Sequence, residues 1–399
     1  MPPIHHVQSG LRALAAASTL VVLFATSAYA VDGNAVAARL KVLYGHKGGT
    51  LEYSGVETQD TTVILRDTKL SAAGMKQPMP VGDITLSDVA EVPGGGFEVG
   101  ALAVPDINYA PADEPGTRIS ARGISLQGLT LPPEGATEPL AQILQYEKAE
   151  VKHVAVNRNG KDVFVADGLT STISPLTATS PVAFTSNIAS FKADLSDIED
   201  PKTKDALTAL GYETISGKVD IDGTWNAPDG RLNLESMNII ADNAGTLDFK
   251  FDISGYTLDF IKGMQEASKN ADGKDDKATN MAMLGLLQQL SFTGASIRFD
   301  DGSLTNKALD YIANKQNAKR SDLISQTKMI LPMAAAQLGD AEFAQSLATA
   351  VNGFLDDPKT IEIKAAPAKP VPFAIIAAGG MADPKSLIKT LAVSVRANQ

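Results

Sequence analysis

The stretch TISGKVDIDGTWN (residues 214–226), followed by RLNLESMNIIA (231–241) and GTLDFKFDI (245–253), decides the fold class. Side chains alternate along an extended chain with a period of two. In the first segment Ile215, Gly217, Val219, Ile221, Gly223 and Trp225 therefore share one side, and Lys218, Asp220, Asp222 and Thr224 the other. Asn226-Ala-Pro-Asp-Gly230 is a turn cluster. The second segment opens with Leu232 and Leu234, then shifts phase to Met237, Ile239 and Ala241, which predicts a bulge near Glu235-Ser236. The third sets Leu247, Phe249, Phe251 and Ile253 against Thr246, Asp248, Lys250 and Asp252. Strict alternation broken by turn residues predicts an antiparallel meander with one greasy and one wet face.

Similar units recur upstream. Asp83-Ile-Thr-Leu-Ser-Asp-Val89 resembles Gly123-Ile-Ser-Leu-Gln-Gly-Leu-Thr-Leu131, and Phe191, Ala193 and Leu195 alternate again. Val151–Val156 and Val163–Val165 flank Asn157-Arg-Asn-Gly160, a hairpin signal. Helices punctuate these strands: one capped by Asn34 and running to Tyr44, one from Thr137 to Lys148, and one opened by Asp200-Pro201 and stopped at Gly211. Downstream the pattern turns helical, over Tyr256–Lys269, Ala278–Leu290, Leu304–Lys315, Asp322–Leu338 and Asp340–Leu355. The tail returns to strand at Thr360–Ala365, runs through Pro367, Pro370 and Pro372, and closes with a helix at Pro384–Leu391 and a strand at Ala392–Ala397. The expected class is α+β: an antiparallel amphipathic sheet or sheets of successive meander strands over 31–255, and a mostly helical region over 256–399.

The first thirty residues carry a different message. Arg12 precedes an apolar run from Leu14 to Phe24 and the small-x-small triplet Ala28-Tyr-Ala30, the order of a secretory signal peptide cleaved after Ala30. Its apolar run is too short for a span, and no other stretch is long enough for one. A periplasmic location is the expectation. The formal charge is −11 and becomes about −12 without Arg12, so the chain as a whole is expected to offer no electrostatic footprint for nucleic acid or for anionic lipid head groups. Cysteine is absent, which removes disulfides, thiolate metal sites and a cysteine nucleophile.

The remaining chemistry is sparse. Beyond residue 30 only His46 and His153 occur, without the paired spacing of a zinc site. There is no G-x-S-x-G; Ser325-Gln-Thr-Lys328 matches S-x-x-K without its companion elements, and reads as helix surface. Pro93-Gly-Gly-Gly-Phe97 lacks the Lys-Ser/Thr of a phosphate loop and reads as a hairpin turn. The pairs Glu199-Asp200, Asp275-Asp276, Asp300-Asp301 and Asp356-Asp357 sit where caps are needed. An EF-hand frame fails at Asp220-x-Asp222, because Trp225 occupies its glycine position; Asp220, Asp222, Asp248 and Asp252 read as a solvated face. Met237, Met264, Met281, Met283, Met329, Met333 and Met381 read chiefly as core filling. No catalytic residue, metal ligand or cofactor is expected.

Units such as Gly123-Ile-Ser-Leu-Gln-Gly-Leu129 and Ser216-Gly-Lys-Val-Asp-Ile221 resemble those of the AsmA/TamB-type and YdgA-type periplasmic proteins. The resemblance spans roughly residues 51–255 and implies sheets that form apolar grooves for lipid. A cleavable signal and the large helical C-terminal part depart from that pattern, and imply a soluble carrier or scaffold in place of a bridge. The first expectation is thus a binding protein for a lipid or other apolar ligand, with Val219, Ile221, Trp225, Leu247, Phe249 and Phe251 lining the groove. The alternative is a structural or assembly protein of the cell envelope acting through a protein partner. A face left open favours the first, a closed core the second, and a cleft with converging carboxylates an enzyme.

Overall fold

The computed structural model describes residues 31–45, 49–72, 75–137, 141, 145–175, 180–271 and 283–399. Helix α1 (Gly33–Gly45) precedes ten strands: β1 (Thr50–Glu52), β2 (Gly55–Gln59), β3 (Thr62–Ser71), β4 (Met79–Val92), β5 (Gly96–Val104), β6 (Ile107–Tyr109), β7 (Thr117–Leu131), β8 (Lys148–Arg158), β9 (Lys161–Ile173) and β10 (Val182–Asp194). After α2 (Pro201–Leu210) come β11 (Thr214–Asn226), β12 (Arg231–Ala241) and β13 (Gly245–Ser254). Then follow α3 (Leu258–Ala271), a helical turn at 283–287, and β14 (Ser291–Asp301). Helices α4 (Leu304–Lys315), α5 (Arg320–Ala336) and α6 (Ala341–Asp356) lead to β15 (Thr360–Ala365) and β16 (Val371–Pro372). The chain ends with α7 (Phe373–Ala382), α8 (Ser386–Thr390) and β17 (Val393–Ala397).

Among the described residues all seventeen strands join one sheet. Neighbours pair antiparallel and in chain order, with β1 and β2 sharing β3, β5 and β6 sharing β7, and β15 and β16 sharing β14. The expected α+β meander is the observed fold. Its local devices are also those written in the sequence. Glu235 is left over between the pairs Asp222–Ser236 and Gly223–Leu234, which is the bulge in β12. Asn159 and Gly160 turn the β8–β9 hairpin in the left-handed region (φ +52° and +84°), and Gly94 and Gly95 turn β4 into β5. Gly123 and Gly168 (φ +62° each) bend β7 and β9 mid-strand, where a side chain would strike Lys152 or Ala189.

Caps hold the helices where the polypeptide must change direction. Asp200 accepts from Thr203 N at 2.7 Å, Pro201 opens α2, and Gly211 closes it at φ +74°. Asp340 accepts from Phe343 N at 2.9 Å to start α6. The cap of α1 is Asp32, which accepts from Ala35 N at 3.0 Å, and so lies two residues before the expected Asn34. The expected helix over Thr137–Lys148 is corrected at its end: Gln145 bridges to Thr130 and Lys148 already belongs to β8. Residues 138–140 and 142–144 lie outside the described ones, as do residues 1–30, His46 and Asp275-Asp276.

One polar knot ties β9 to β10. Lys161 donates to Asp194 Oδ2 at 2.8 Å and to Ser196 Oγ at 2.7 Å, while Ser196 gives Asp194 Oδ1 both its N–H and its hydroxyl. These bonds, that of Lys161 foremost, hold the Asp194 carboxyl well below its ordinary 3.8. A depressed carboxyl stabilises the fold fully above its unfolded value, and the stabilisation drains away as pH falls through the folded one. Asp194→Asn is therefore expected to lower the melting temperature at pH 7 and to flatten its decline below pH ~4. Thermal melts across that range check it; a variant as acid-sensitive as the parent refutes it.

Candidate functional site

Residues directly opposite one another in neighbouring strands share a face of the sheet. Followed across the sheet, this register draws two adjacent rows. One passes through Val63, Leu86, Leu102, Leu126, Ala149, Ser171, Ser186, Ile221, Met237, Phe249, Ile297, Ile363 and Val395. The other passes through Val104, Ile124, Val151, Leu169, Ile188, Val219, Ile239, Leu247, Phe299, Ile361 and Ala397. Only Ser171 and Ser186, 3.1 Å apart, interrupt the aliphatic and aromatic sequence. The second row makes ten inter-strand steps, so at ~4.8 Å each it is about 48 Å long.

Cover decides what this face does. At the N-terminal end α1 lies on it: Val36, Ala37 and Leu40 form one cluster with Val63, Leu65, Leu86, Val99 and Leu131, all buried. At the opposite end Val395 is buried near α6. Between them none of the described elements covers the rows. Val151, Leu169, Ile188, Val219, Phe249 and Phe299 are half-buried, Ile297 is 47 % exposed and Ile363 50 %. Over β8 to β11 the bare face deepens into an apolar cavity of about 260 Å³, lined among others by Val151, Leu169, Ile188, Val219 and Ile221.

Connectivity sets helices along both margins. The turn ends at Asn243–Ala244 and Gly302–Leu304 are laced together by Tyr212 Oη, which donates to Asn243 O at 2.9 Å, and by three N–H groups on Ala244 O. Beside this margin Tyr311 of α4 donates to Asp205 of α2 at 3.0 Å, and Lys315 joins the same carboxylate at 2.6 Å. At the other margin Phe260, Leu286 and Leu290 make a small core with Tyr256 and Phe373.

The six residues expected to line a groove fall into three groups. Val219 and Ile221 line the cavity itself. Leu247 and Phe249 continue the two rows on β13. Phe251 and Trp225 stand toward the margin, Phe251 6.4 Å from the Phe292 ring, Trp225 donating its indole N–H to Tyr256 O at 2.8 Å. The cavity's other walls, Val151, Leu169 and Ile188, come from β8, β9 and β10.

The wet face pairs its charges locally. Asp252 binds Arg231 at 2.8 Å, Asp248 Lys250 at 3.5 Å and Asp220 Lys218 at 3.4 Å. His153 meets Asp167 across the strands at 2.7 Å. Asp301 caps α4 through Thr305 N, and Lys328 pairs with Asp356 on the surface of α5. Among the described residues no group of three His, Asp or Glu could hold a metal ion, and no helix is long and apolar enough to cross a membrane. The methionines need correction: Met329, Met333 and Met381 are 76 %, 74 % and 81 % exposed, so they fill no core.

A family model described as an uncharacterized protein matches residues 238–398, a span that begins in β12 and ends just past β17. No curated protein matches the chain.

Proposed function

We propose that the chain is an exported, non-enzymatic carrier that holds an apolar ligand, foremost a lipid acyl chain, along the bare face of its sheet. One observation carries this reading: two parallel rows of apolar side chains run between α1 and α6 with no cover among the described residues. Soluble proteins seldom expose a contiguous apolar patch of this extent without a ligand or partner for it. A linear hydrocarbon suits a surface that is long, narrow and almost devoid of hydrogen-bonding groups. Each methylene taken fully from water contributes ~0.8 kcal/mol; on an open face roughly half of that is gained, so about sixteen seated methylenes contribute ~6 kcal/mol before the cost of association.

The leader at residues 1–30 supports a periplasmic site of action, with Val31 the first residue after cleavage. The chain isolated from that compartment is expected to release lipid at a defined stoichiometry in native mass spectrometry and solvent extraction. A chain that carries nothing and takes up no fluorescent fatty acid sinks the proposal.

A further inference from the structure

Helix α7 is Phe373-Ala-Ile-Ile-Ala-Ala-Gly-Gly-Met-Ala382: no side chain in it is polar and no residue of it is buried. Its inner side is fixed, since the Phe373 ring meets Phe292 edge-on at 6.4 Å and Leu387 of α8 packs over Gly379 and Gly380. Its outer side is bare. Ile375, Ala378, Met381 and Ala382 are exposed, and their spacing puts them on one arc of about 120° of the helix. Ile375 is 54 % and Met381 81 % exposed.

Charge distinguishes this corner from the rest of the chain. The whole sequence carries −11, yet residues 359–399 hold six basic and two acidic side chains. Lys369 precedes α7 and Lys385 and Lys389 follow it; all three are exposed and pair with no carboxylate among the described residues. The acid that lies among them in the sequence, Asp383, accepts from Lys385 N at 3.2 Å. An exposed apolar arc flanked along the chain by three unpaired lysines suits a helix that rests on an anionic bilayer, lysine stems extending to the head groups. We infer that α7 and its flanking lysines dock the protein on the surface of an anionic lipid bilayer.

This goes beyond the carrier reading, because docking does not need a filled groove. It would also explain how cargo leaves: the rings of Phe251, Phe292 and Phe373 stand 6.4 Å apart in succession and make an apolar path from the sheet's face to the base of α7.

The test is co-sedimentation of the mature chain with vesicles of phosphatidylcholine alone, or of phosphatidylcholine mixed with phosphatidylglycerol. Binding is expected only to the mixed vesicles and is expected to fall as salt rises. Met381→Asp, at a side chain four-fifths in solvent, and Ile375→Asp should each sharply reduce it while circular dichroism stays unchanged. Lys385→Gln with Lys389→Gln should weaken it about 30-fold. A chain left in the supernatant, equal binding to both vesicles, or a Met381→Asp variant that binds like the parent overturns the inference. So does a dimer that Met381→Asp dissolves in the absence of vesicles, which would give α7 to a second copy. Failure here leaves lipid co-purification intact, and an empty groove leaves vesicle binding intact, so the two proposals fall separately.

Discussion

Truncating Leu86 to alanine is expected to destabilise the protein by about 3 kcal/mol, within the ~2–5 kcal/mol seen when a fully buried leucine loses its side chain. Leu86 is 0 % exposed, with Val63 opposite it on β3 and Leu102 opposite it on β5. Val36 and Leu40 of α1 belong to the same cluster. The cavity left behind has a sheet for floor and a helix for roof, and neither closes easily over it, so the loss includes a cavity contribution as well as the transfer of the removed methylenes. Ile363 lies at the far end of the same row but is 50 % exposed. Ile363→Ala should cost under ~1 kcal/mol, because half of the side chain never left water. Urea titrations of both variants give the comparison. Equal midpoint shifts would mean that the face is covered throughout, and with that the groove reading would lose its ground.

That contrast between a covered and a bare end explains what the sequence could and could not disclose. The strands β11 to β13 were legible because polar and apolar residues alternate over almost their whole length, with a single bulge to account for. Likewise α2 carries its own start and stop in Asp200-Pro201 and Gly211, and α4 to α6 carry helical spacing. Strand β14 carries a weaker signal: Ala295 thins its apolar side, the register shifts between Gly294 and Phe292, it lies between helical segments, and its second full partner, β15, is some sixty residues away. Helix α7 was hidden for the opposite reason. With no polar residue in Phe373–Ala382, there is no periodicity to read, and burial cannot be told from exposure. The same gap misplaced Met329, Met333 and Met381, since composition alone makes a thioether look like core.

The candidate site was half visible. Val219, Ile221, Leu247 and Phe249 follow from alternation in one block, whereas Val151, Leu169 and Ile188 reach the same cavity through a register set by three other hairpins. Gly168 bends β9 beside Leu169, and the register of β10 shifts between Ile188 and Phe191, so alternation fails where the cavity forms. Cross-strand register is a tertiary property, and local pattern carries little of it.

Two substitutions at the cavity floor should abolish ligand retention by opposite means. Ile221→Asp puts a carboxylate among Val219, Ile188 and Leu169, and an acyl chain seated there would have to strip its water without repaying it, at several kcal/mol. That outweighs most of the ~6 kcal/mol that a seated chain gains, so co-purifying lipid should fall below detection. The empty protein tolerates the change, because the face is open and the charge stays hydrated. Val219→Trp acts by volume: the indole fills much of a cavity of about 260 Å³ while keeping its surface apolar. No described element roofs Val219, so the larger ring projects outward and the ordinary penalty for overpacking a closed core does not arise. A ligand held by the groove is lost in both variants, whereas one held elsewhere survives both. If only Ile221→Asp loses it and the melting temperature drops by more than ~5 °C as well, the loss reports a damaged sheet. Val219→Trp then decides alone, since undiminished lipid in that variant places the cargo away from β11.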